Sequence, residues 1–577
     1  HIVVLAVLLG AVGLVSAVLP YGRRYGEAEL RRRLGLLIED RMFQAINSFP
    51  GLSRFESPEF YDKIRVVQQI SNSVPTRLVS AAMTIGQSAI TAAGLFATLV
   101  LINPVLASVV AATAVPAITA QITNSRRRAD HEWHASPAAR RQMFYARLLS
   151  DRDAAKEVRL FGLGDFLRGR MLAEITEINR GQRRLDLRIF SIEGMLSLLT
   201  AVISAAGIVW TVREAVAGRL SIGDVTLFTM AVVGVQGAIG NLVSRIADLY
   251  QSLLLFGHYT DIISAGPDLP LAAAPLQVPP LRGGIEFRDV WFRYDSGHPW
   301  VLRGVSLVIP LGKAVALVGL NGAGKTTLVK LLCRLYDPCR GAIYWDGVDI
   351  RDIDPRDLRE RIGTVFQDYM AYDLTAAENI GLGDLARLDD RQAARWAAEQ
   401  AGIHSKLASL PRGYDTMLSR VFFSNKDKEN PETGVILSGG QWQRLALARG
   451  LMRADRDLLI LDEPSSGLDA EAEHEIHQRL RTIRGGSSSL LISHRLNAIR
   501  DADTIFVLAG GRIIEHGDHN ELMASHGEYH RLFTLQARGY QECQPAQVAS
   551  PVSLRVLAGG DQFASARAAV QDGERIG

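Results

Sequence analysis

The feature that most constrains this chain is a stretch of 48 consecutive residues, from 78 to 125, that contains no Asp, Glu, Lys or Arg. As one α-helix it would be about 70 Å long, roughly twice the ~30 Å hydrocarbon core of a bilayer, so it should fold as two crossings. Asn103 and Pro104 supply a natural turn between them. A large buried helix bundle is the alternative, but soluble core helices keep a charged stripe, and this stretch has none. Membrane-spanning helices are therefore predicted.

Three further apolar stretches are long enough to span a bilayer, which gives five predicted crossings at about residues 1–20, 79–101, 104–122, 189–211 and 222–246. Segments 21–77 and 122–188 hold 10 and 15 Lys or Arg residues, whereas the turn at 102–104 holds none. Because basic loops stay on the cytoplasmic side, both segments are predicted to face the cytoplasm and residue 1 the opposite side. From this parity we expect one further helix ahead of His1 in the natural protein, with a cleaved leader as the alternative.

The sequence changes character after the last apolar stretch. Residues 266–284 are rich in Pro, Ala and Leu, which is typical of a linker. Residues 285–537 alternate short β-rich runs with longer helical stretches, which predicts a parallel-sheet α/β domain. Residues 538–577 lack durable periodicity and are predicted to be an unstructured tail. The predicted domains are therefore 1–265 in the membrane and 285–537 outside it.

Charge and cysteine content exclude two classes of function. The chain has 64 Lys and Arg against 61 Asp and Glu, a net charge of +3 that is too balanced for a nucleic-acid partner. Its three cysteines are an odd number without CxxC spacing, so neither a disulfide framework nor a zinc site is indicated.

Residues 319–326, GLNGAGKT, match the pattern GxxxxGK followed by Ser or Thr, and they come directly after the apolar run 314–318. Glycines let the backbone wrap a phosphate with several N–H groups pointing inward, and the helix that follows adds its positive dipole end. Lys325 is predicted to reach the β- and γ-phosphates of a nucleotide, and Thr326 is predicted to ligate Mg²⁺.

A second apolar run, 458–461, ends in Asp462 and Glu463. A buried strand followed by carboxylates suits Mg²⁺: Asp462 would hold the metal through its water shell, and Glu463 would polarise the attacking water as a general base. Alone, this pattern is weak, because a solvated strand end is its commoner explanation. Its weight comes from the motif that precedes it.

That motif is LSGGQ at residues 437–441, and with it the sequence resembles the ATP-binding cassette transporters, whose signature it is. Further elements follow the family order: Tyr294 resembles the aromatic that stacks on adenine, Gln367 the Q-loop glutamine, residues 466–469 (SGLD) the D-loop, and His494 the switch histidine. The resemblance implies ATP contacts from Tyr294, Gly319, Asn321, Gly322, Ala323, Gly324, Lys325, Thr326, Thr327, Ser438, Gly439, Gly440, Gln441 and Asp469. It implies Glu463, His494, Lys325 and Gln367 as catalytic residues, and Thr326, Gln367 and Asp462 as Mg²⁺ ligands.

The implied fold is an α-helical transmembrane domain of the exporter type, with five of its usual six helices visible, followed by an α/β P-loop ATP-binding cassette. The signature and the phosphate loop lie more than 100 residues apart in a chain that has one of each. In the family they meet only across a dimer, where Ser438 and Gly440 contact the γ-phosphate held by Lys325 of the partner subunit. A homodimer is the first choice because Glu463 and His494 are both present, and a heterodimer remains open.

The membrane half resembles exporter half-transporters more weakly, through its two long cytoplasmic segments. Short coupling helices are expected around residues 55–61 and 161–167. Two features depart from the family: residues 425–434 (NKDKENPETG) replace a Gly-Glu-Arg-Gly stretch before the signature, and five helices stand where six are usual.

The function predicted on this basis is ATP-driven export across a membrane, the bacterial inner or plasma membrane, with the cassette in the cytoplasm. An ATP-gated channel or regulator and an importer on the same fold stay open as alternatives, whereas the uncharged stretch excludes a soluble ATPase. Gln87 and Gln236 lie inside predicted spans, where hydrogen bonding between helices is favoured over lining a substrate pathway. The substrate is not predicted.

Overall fold

The computed structural model describes residues 2–541 apart from 72–73, scattered positions between 103 and 135, 152–153, 421–433, 454–455, 465–477 and 480–486. The chain divides into two compact units. The first comprises residues 1–275 with 334–337, and the second comprises residues 276–333 with 338–577. The first unit is built from long helices, and the second contains both β-sheets.

The helices of the first unit are α1 (Ile2–Asn47), α2 (Pro58–Ser71), α3 (Val74–Ile102), α4 (Ser136–Ser150), α5 (Ala155–Leu160), α6 (Gly164–Val216) and α7 (Ile222–Ile263). Among the described residues, three segments are long and apolar enough to cross a membrane: Leu78–Leu101, Gly164–Val216 and Ile222–Ile263. They contain the predicted crossings 79–101, 189–211 and 222–246. The predicted crossing 1–20 lies within α1, and most of 104–122 lies outside the described residues.

Several of the apolar segments are parts of much longer helices, so much of the sequence in 21–77 and 122–188, between the predicted crossings, is helical. Helix α6 alone has 53 residues, and α1 has 46. Oppositely charged side chains three or four positions apart support the extensions: Arg23 pairs with Glu27 at 2.8 Å in α1, and Arg168 pairs with Asp165 at 3.2 Å in α6. A charged sequence can therefore continue a helix beyond the apolar span.

The two ranges in which short coupling helices are expected are each partly helical, since α2 begins at Pro58 and α6 at Gly164. Residues 51–56 form a turn, and α2 begins only at Pro58, a residue suited to the first helical position. Further on, α5 ends at Leu160. Gly162 takes a φ of +63° there, its N–H donates to the carbonyl of Arg159, and the N–H of Leu163 donates to the carbonyl of Val158. This glycine-dependent helix end stops α5 before the predicted range 161–167.

Close packing of α7 against its neighbours uses small residues. A Cβ on Gly234 would lie 2.4 Å from Leu95 of α3, and a Cβ on Gly207 of α6 would lie 3.1 Å from Phe228. Such contacts are typical of helices that associate in a bilayer. Gln236 of α7 donates a hydrogen bond to Ser204 of α6, which is the interhelical role favoured from the sequence.

The strands of the second unit are β1 (Gly284–Phe292), β2 (Leu302–Pro310), β3 (Ala314–Val318), β4 (Arg340–Trp345), β5 (Val348–Asp349), β6 (Ile362–Val365), β7 (Leu458–Asp462), β8 (Ser488–Ile492), β9 (Thr504–Ala509) and β10 (Arg512–Gly517). The helices are α8 (Lys325–Leu332), α9 (Pro355–Glu360), α10 (Ala376–Gly381), α11 (Arg391–Gln400), α12 (His404–Ala408), α13 (Gly439–Leu451), α14 (Leu496–Ile499), α15 (His519–Ala524) and α16 (Glu528–Gln541). Helix α16 continues past residue 537, where the tail was predicted to begin, and residues 542–577 lie outside the description.

Two sheets organise this unit. One is antiparallel, in the order β2-β1-β4-β5, and the other has the order β10-β9-β3-β8-β7-β6. In the second sheet β9, β3, β8, β7 and β6 are parallel, and β10 pairs antiparallel with β9. Every residue of β3, β7 and β8 is buried, as expected for strands with both faces covered. Because parallel strands end at the same edge, the residues that follow β3, β6, β7 and β8 lie near one another.

Candidate nucleotide site

Four predicted site residues follow four adjacent parallel strands. Lys325 comes after β3, His494 after β8, Glu463 after β7 and Gln367 after β6. Ligands of open α/β sheets bind at the carboxyl ends of the strands. The sheet order therefore brings together side chains that are up to 169 positions apart in the sequence.

The phosphate loop after β3 is shaped by glycines at positions that exclude a side chain. Gly324 has a φ of +108° and a Cβ there would lie 2.8 Å from Leu302, and a Cβ on Gly319 would lie 2.2 Å from the carbonyl oxygen of Leu508. Gly322 also takes a positive φ, of +81°. These positions keep the backbone in the curved form that presents N–H groups to a phosphate.

Lys325, the first residue of α8, is folded back onto the loop that it is predicted to serve. Its Nζ donates to the carbonyl oxygens of Gly319 at 2.7 Å and Leu320 at 3.0 Å. Burial lowers the pKa of the ammonium, and the nearby carboxylates of Glu463 and Asp462 oppose that shift. To reach a phosphate, Nζ must give up its two hydrogen bonds to carbonyl oxygens. Hydrogen bonds from the ammonium to an anion are stronger, so this exchange is favourable.

Asp462 ends β7 almost without exposure to solvent, at 1%. The Thr326 hydroxyl donates to its Oδ2 at 3.2 Å. Burial raises the pKa of Asp462 to about 6, although the hydrogen bond from Thr326 works in the opposite direction. A buried carboxylate whose charge is poorly compensated, paired with a hydroxyl, is a donor set that fits a hard divalent cation.

Across the described residues, no group of three or more His, Cys, Asp or Glu side chains is placed to hold a metal ion.

Glu463 stands at the centre of the predicted hydrolytic groups. The Gln367 side chain donates from Nε2 to its Oε2 at 2.9 Å, and His494 Nδ1 lies 3.1 Å from its Oε1. The Glu463 backbone has a φ of +52°, which is strained for a residue with a side chain, and its N–H donates to the carbonyl of Ile492 at 2.8 Å. The strained turn aims the carboxylate at the strand-end cleft.

Tyr294, which follows β1, is partly exposed at 39%. Its hydroxyl lies 3.0 Å from Thr327 Oγ1, and its ring packs edge-on against Phe292 with centroids 5.0 Å apart. The bond to Thr327 ties the tyrosine to the start of α8. A partly exposed ring fixed beside the phosphate loop is suited to stacking on a base.

The signature residues lie at the start of α13 and cap it. The Ser438 hydroxyl accepts from the Gln441 N–H, and Gln441 Oε1 accepts from the Ser438 N–H at 3.0 Å. The Gly439 carbonyl accepts from the Tyr369 hydroxyl at 3.0 Å, and no heavy atom lies within 4 Å of a Cβ built on Gly439. Among the hydrogen bonds of the described residues, none joins residues 438–441 to the phosphate loop of the same chain. Asp469 of the predicted D-loop lies outside the described residues, as does nearly all of 425–434.

Known proteins with similar sequences or folds indicate the family of this chain. Residues 302–466 match the protein family described as ABC transporter. The ATP-dependent lipid A-core flippase of Methylococcus capsulatus is 37% identical over 390 residues, which cover 67% of this chain and 61% of the flippase. A solved bacterial Atm1-family ABC exporter with ATP bound has a TM-score of 0.78 and 25% identity, over 92% of this chain and 90% of that one. The cassette of this chain, over residues 302–466, belongs to the ABC transporter family. The chain is an integral membrane protein with a helical domain and a fused ATP-binding cassette.

A third relative of this transporter is the mitochondrial potassium channel ATP-binding subunit of Xenopus tropicalis, 41% identical over 329 residues, which cover 56% of this chain and 45% of the relative. The transporter thus spans about 61% and 45% of the lengths of these two curated relatives.

Three residues of the cassette that sequence reasoning missed contact its site. Gln443, 3% exposed on α13, donates to the main-chain carbonyl of Glu463 at 3.1 Å. Tyr369 holds Gly439, as described above. Gln536 of α16 bonds to the main chain around His494. Each of these bonds has a main-chain partner, so no particular residue type in the sequence predicts it. Gln443 and Tyr369 lie near motifs in the sequence, which could have suggested them, but Gln536 does not.

Proposed function

We propose that this transporter is an ATP-hydrolysing exporter in which two chains form two composite ATP sites, and closure of the cassettes drives substrate across the membrane. The observation that carries the proposal is the carboxylate of Glu463, held between Gln367 and His494 at the sheet edge that also carries Lys325 and Asp462. This is a hydrolytic arrangement, fused to helices long enough to cross a bilayer.

In this mechanism the phosphate loop and Lys325 bind the phosphates of ATP, and Tyr294 stacks on adenine. Glu463 accepts a proton from the attacking water as that water meets the γ-phosphorus. Gln367 donates a hydrogen bond to one oxygen of the carboxylate, and His494 Nδ1 lies 3.1 Å from the other, so the two side chains hold the carboxylate in line. Orientation of this kind contributes by keeping reacting groups close to the reactive geometry.

Thr326, Asp462 and Gln367 would hold Mg²⁺. When bound with the nucleotide, the ion neutralises charge on the β- and γ-phosphates. For Asp462, a cation also favours the ionised form that burial disfavours, which is a physical reason for an acid to be buried at this strand end.

The two-chain assembly is supported by the position of the signature. Residues 438–441 bond to one another and to Tyr369, and Gly439 presents an open surface. A second chain would bring its own signature to the γ-phosphate held by Lys325. Two copies of the same chain suffice, because this one carries both Glu463 and His494.

We place the protein in the inner or plasma membrane of a bacterium, with the cassette on the cytoplasmic side, where ATP is available. Arginines concentrate in the segments 21–77 and 122–188, which supports the same orientation. Because a similar protein is named as an ATP-dependent lipid A-core flippase, lipid A-core is the first substrate to test.

The test uses the full chain in lipid nanodiscs and in inside-out vesicles. Wild type should hydrolyse MgATP, whereas Glu463→Gln should bind ATP within about twofold and lose at least about 100-fold in turnover, because the amide cannot accept the proton. Glu360→Gln is the matched control, since Glu360 is exposed at the end of α9 and should keep full turnover.

Vesicles made from wild type should then accumulate one of the tested compounds only with MgATP. Turnover of Glu463→Gln within about threefold of wild type would remove this residue from the base role. Nucleotide-gated ion conductance without accumulation would indicate a channel, and transport in the opposite direction would indicate an importer; either would overturn export.

A further inference from the structure

The C-terminal helix α16 reaches the cassette's hydrolytic site through one side chain. Gln536 Oε1 accepts a hydrogen bond from the N–H of Leu496 at 2.8 Å, and Gln536 Nε2 donates to the carbonyl oxygen of His494 at 3.2 Å. The oxygen and the nitrogen of one side-chain amide thus hold the main chain on both sides of Arg495. Both partners are main-chain atoms, so the bonds fix the path of the backbone and not one particular side chain.

The segment held in this way lies between two regular elements. Strand β8 ends at Ile492 and α14 begins at Leu496, so residues 493–495 belong to neither. Within it, the Ser493 hydroxyl accepts from the Arg495 N–H at 3.0 Å. A short connection of this kind depends on contacts from outside for its exact path.

The His494 ring depends on that path. Its side chain is half exposed, at 50%, while Nδ1 lies 3.1 Å from Glu463 Oε1, whose own side chain is 10% exposed. An exposed imidazole is not confined by packing, so its position follows from the direction in which its backbone points. A displacement of about 1 Å at the main chain is enough to move Nδ1 and Oε1 from this separation to beyond hydrogen-bonding distance.

Helix α16 is anchored well enough to act as the fixed partner. Tyr529 is fully buried, and its hydroxyl lies 2.9 Å from His519 Nδ1. Its N–H donates to the carboxylate of Glu515 at 3.0 Å. Gln536 follows two turns later, and together with Leu532 and Leu535 it lines a cavity of about 490 Å³ that also contains Glu463 and His494.

We propose that Gln536 is a positioning residue for ATP hydrolysis, which holds the main chain at His494 so that the imidazole meets Glu463. The inference rests on the proposed hydrolytic roles of Glu463 and His494. It adds a role for the C-terminal helix, because a displacement of α16 would move His494 relative to the carboxylate of Glu463. None of the described hydrogen bonds joins Gln536 to Lys325, although Gly319 and Asn321 of the phosphate loop line the same cavity.

The test is Gln536→Leu in the full chain in nanodiscs. The leucine keeps most of the packing volume and removes both hydrogen bonds. We expect kcat for ATP hydrolysis to fall roughly tenfold, as for a catalytic group displaced by less than about 1 Å. KM for ATP should stay within about twofold, because nucleotide binding is untouched. Gln392→Leu, at an exposed position on α11, is the matched control and should leave kcat unchanged.

A double-mutant cycle separates positioning from a general structural role. If Gln536 acts through His494, then adding Gln536→Leu to His494→Ala should lower kcat by less than about twofold further, because there is no imidazole left to position. Gln536→Glu is the second variant; it keeps the bond from the Leu496 N–H and loses the one to the His494 carbonyl, so it should fall between wild type and Gln536→Leu.

Three results would overturn the inference: wild-type kcat for a folded Gln536→Leu and Gln536→Glu, an equal fold loss with and without His494, or a loss carried by KM. Should Gln536→Leu fail to fold, Gln536→Glu alone tests the inference: wild-type kcat, or a loss carried by KM, would overturn it. Absence of hydrolysis by wild type would instead refute the proposed function, and unchanged turnover of His494→Ala would refute both the role of that histidine and the role of Gln536.

Discussion

Replacement of Asp462 by Asn tests whether the cassette buries an acid at a cost to its own stability. Asp462 ends β7 at 1% exposure, and its pKa is raised to about 6, chiefly by burial. Asn has nearly the same shape and carries no charge at any pH. The change therefore removes the cost of burying the charge and leaves the packing of the strand end in place. It also removes the carboxylate that we propose for Mg²⁺.

The pKa sets the size and the sign of the effect. An acid with a pKa of about 6 when folded and 3.8 as its ordinary value destabilises the folded state by about 3 kcal/mol at pH 7.5, at ~1.36 kcal/mol per pKa unit. Because the folded-state pKa is the higher one, this cost is absent below about pH 4, grows as the pH rises, and is complete above about pH 6. At pH 5 it is about 1.6 kcal/mol. Asp462→Asn should therefore stabilise the nucleotide-free protein by up to these amounts.

The assay is thermal unfolding of the nucleotide-free protein at one scan rate, at pH 7.5 and pH 5.0, because melting of a large membrane protein depends on scan rate. Asp462→Asn should melt higher than wild type by up to about 6–12 °C at pH 7.5, from ~2–4 °C per kcal/mol in a domain of this size, and by about half as much at pH 5.0. With ATP present, Mg²⁺ should raise the melting temperature of wild type and not that of the variant. Asp389→Asn, a change at an exposed carboxylate that does not act on Asp462, is the control and should shift melting by less than about 2 °C. A variant that melts below wild type at pH 7.5, or a difference that does not shrink at pH 5.0, would refute the reasoning from burial.

Two further predictions concern the proposed dimer and the signature helix. Lys325→Ala chains mixed with Ser438→Ala chains should regain one intact composite site in each mixed dimer, measured as trapped nucleotide; no more trapping than in either mutant homodimer would argue against shared sites. Gln443→Met should remove the bond to the Glu463 carbonyl and lower turnover roughly tenfold. It should also destabilise the cassette by about 1 kcal/mol, because a partly buried carbonyl loses its donor. Wild-type turnover of this variant would show that the bond is not needed for hydrolysis.

The sequence predicted the apolar segments of the helices better than the helix ends. Apolar runs show the part of a helix that lipid requires, and three predicted crossings coincide with described segments that are long and apolar enough to cross a membrane. Apolar runs do not show how far a helix continues beyond the lipid. That depends on ion pairs such as Arg23 with Glu27 and on helix-ending residues such as Gly162. That glycine is visible in the sequence, but its positive φ is a consequence of how the chain leaves α5.

The candidate site divides in a similar way. The sequence specified Lys325, Asp462, Glu463 and their motifs, because phosphate and water chemistry needs those side chains at those positions. It could not specify that Glu463 adopts a strained backbone, since that depends on the turn that follows β7. Nor could it identify Gln536, because a glutamine that bonds to the main chain 40 and 42 residues away needs no particular partner residue.

Helix α13 connects the two kinds of contact that the proposed mechanism requires. Its first residues, beginning with Ser438 as the cap, would meet the nucleotide bound by the other chain, while Gln443 donates to the carbonyl of Glu463 in its own chain. The distance along the helix from Gly439 to Gln443 is about 6 Å, a little more than one turn. A shift of α13 on nucleotide contact would therefore be felt at the strained backbone of Glu463, where a φ of +52° has few alternatives nearby. Nucleotide binding at one composite site would thus change the position of Glu463, the general base of the other site, through the buried side chain of Gln443.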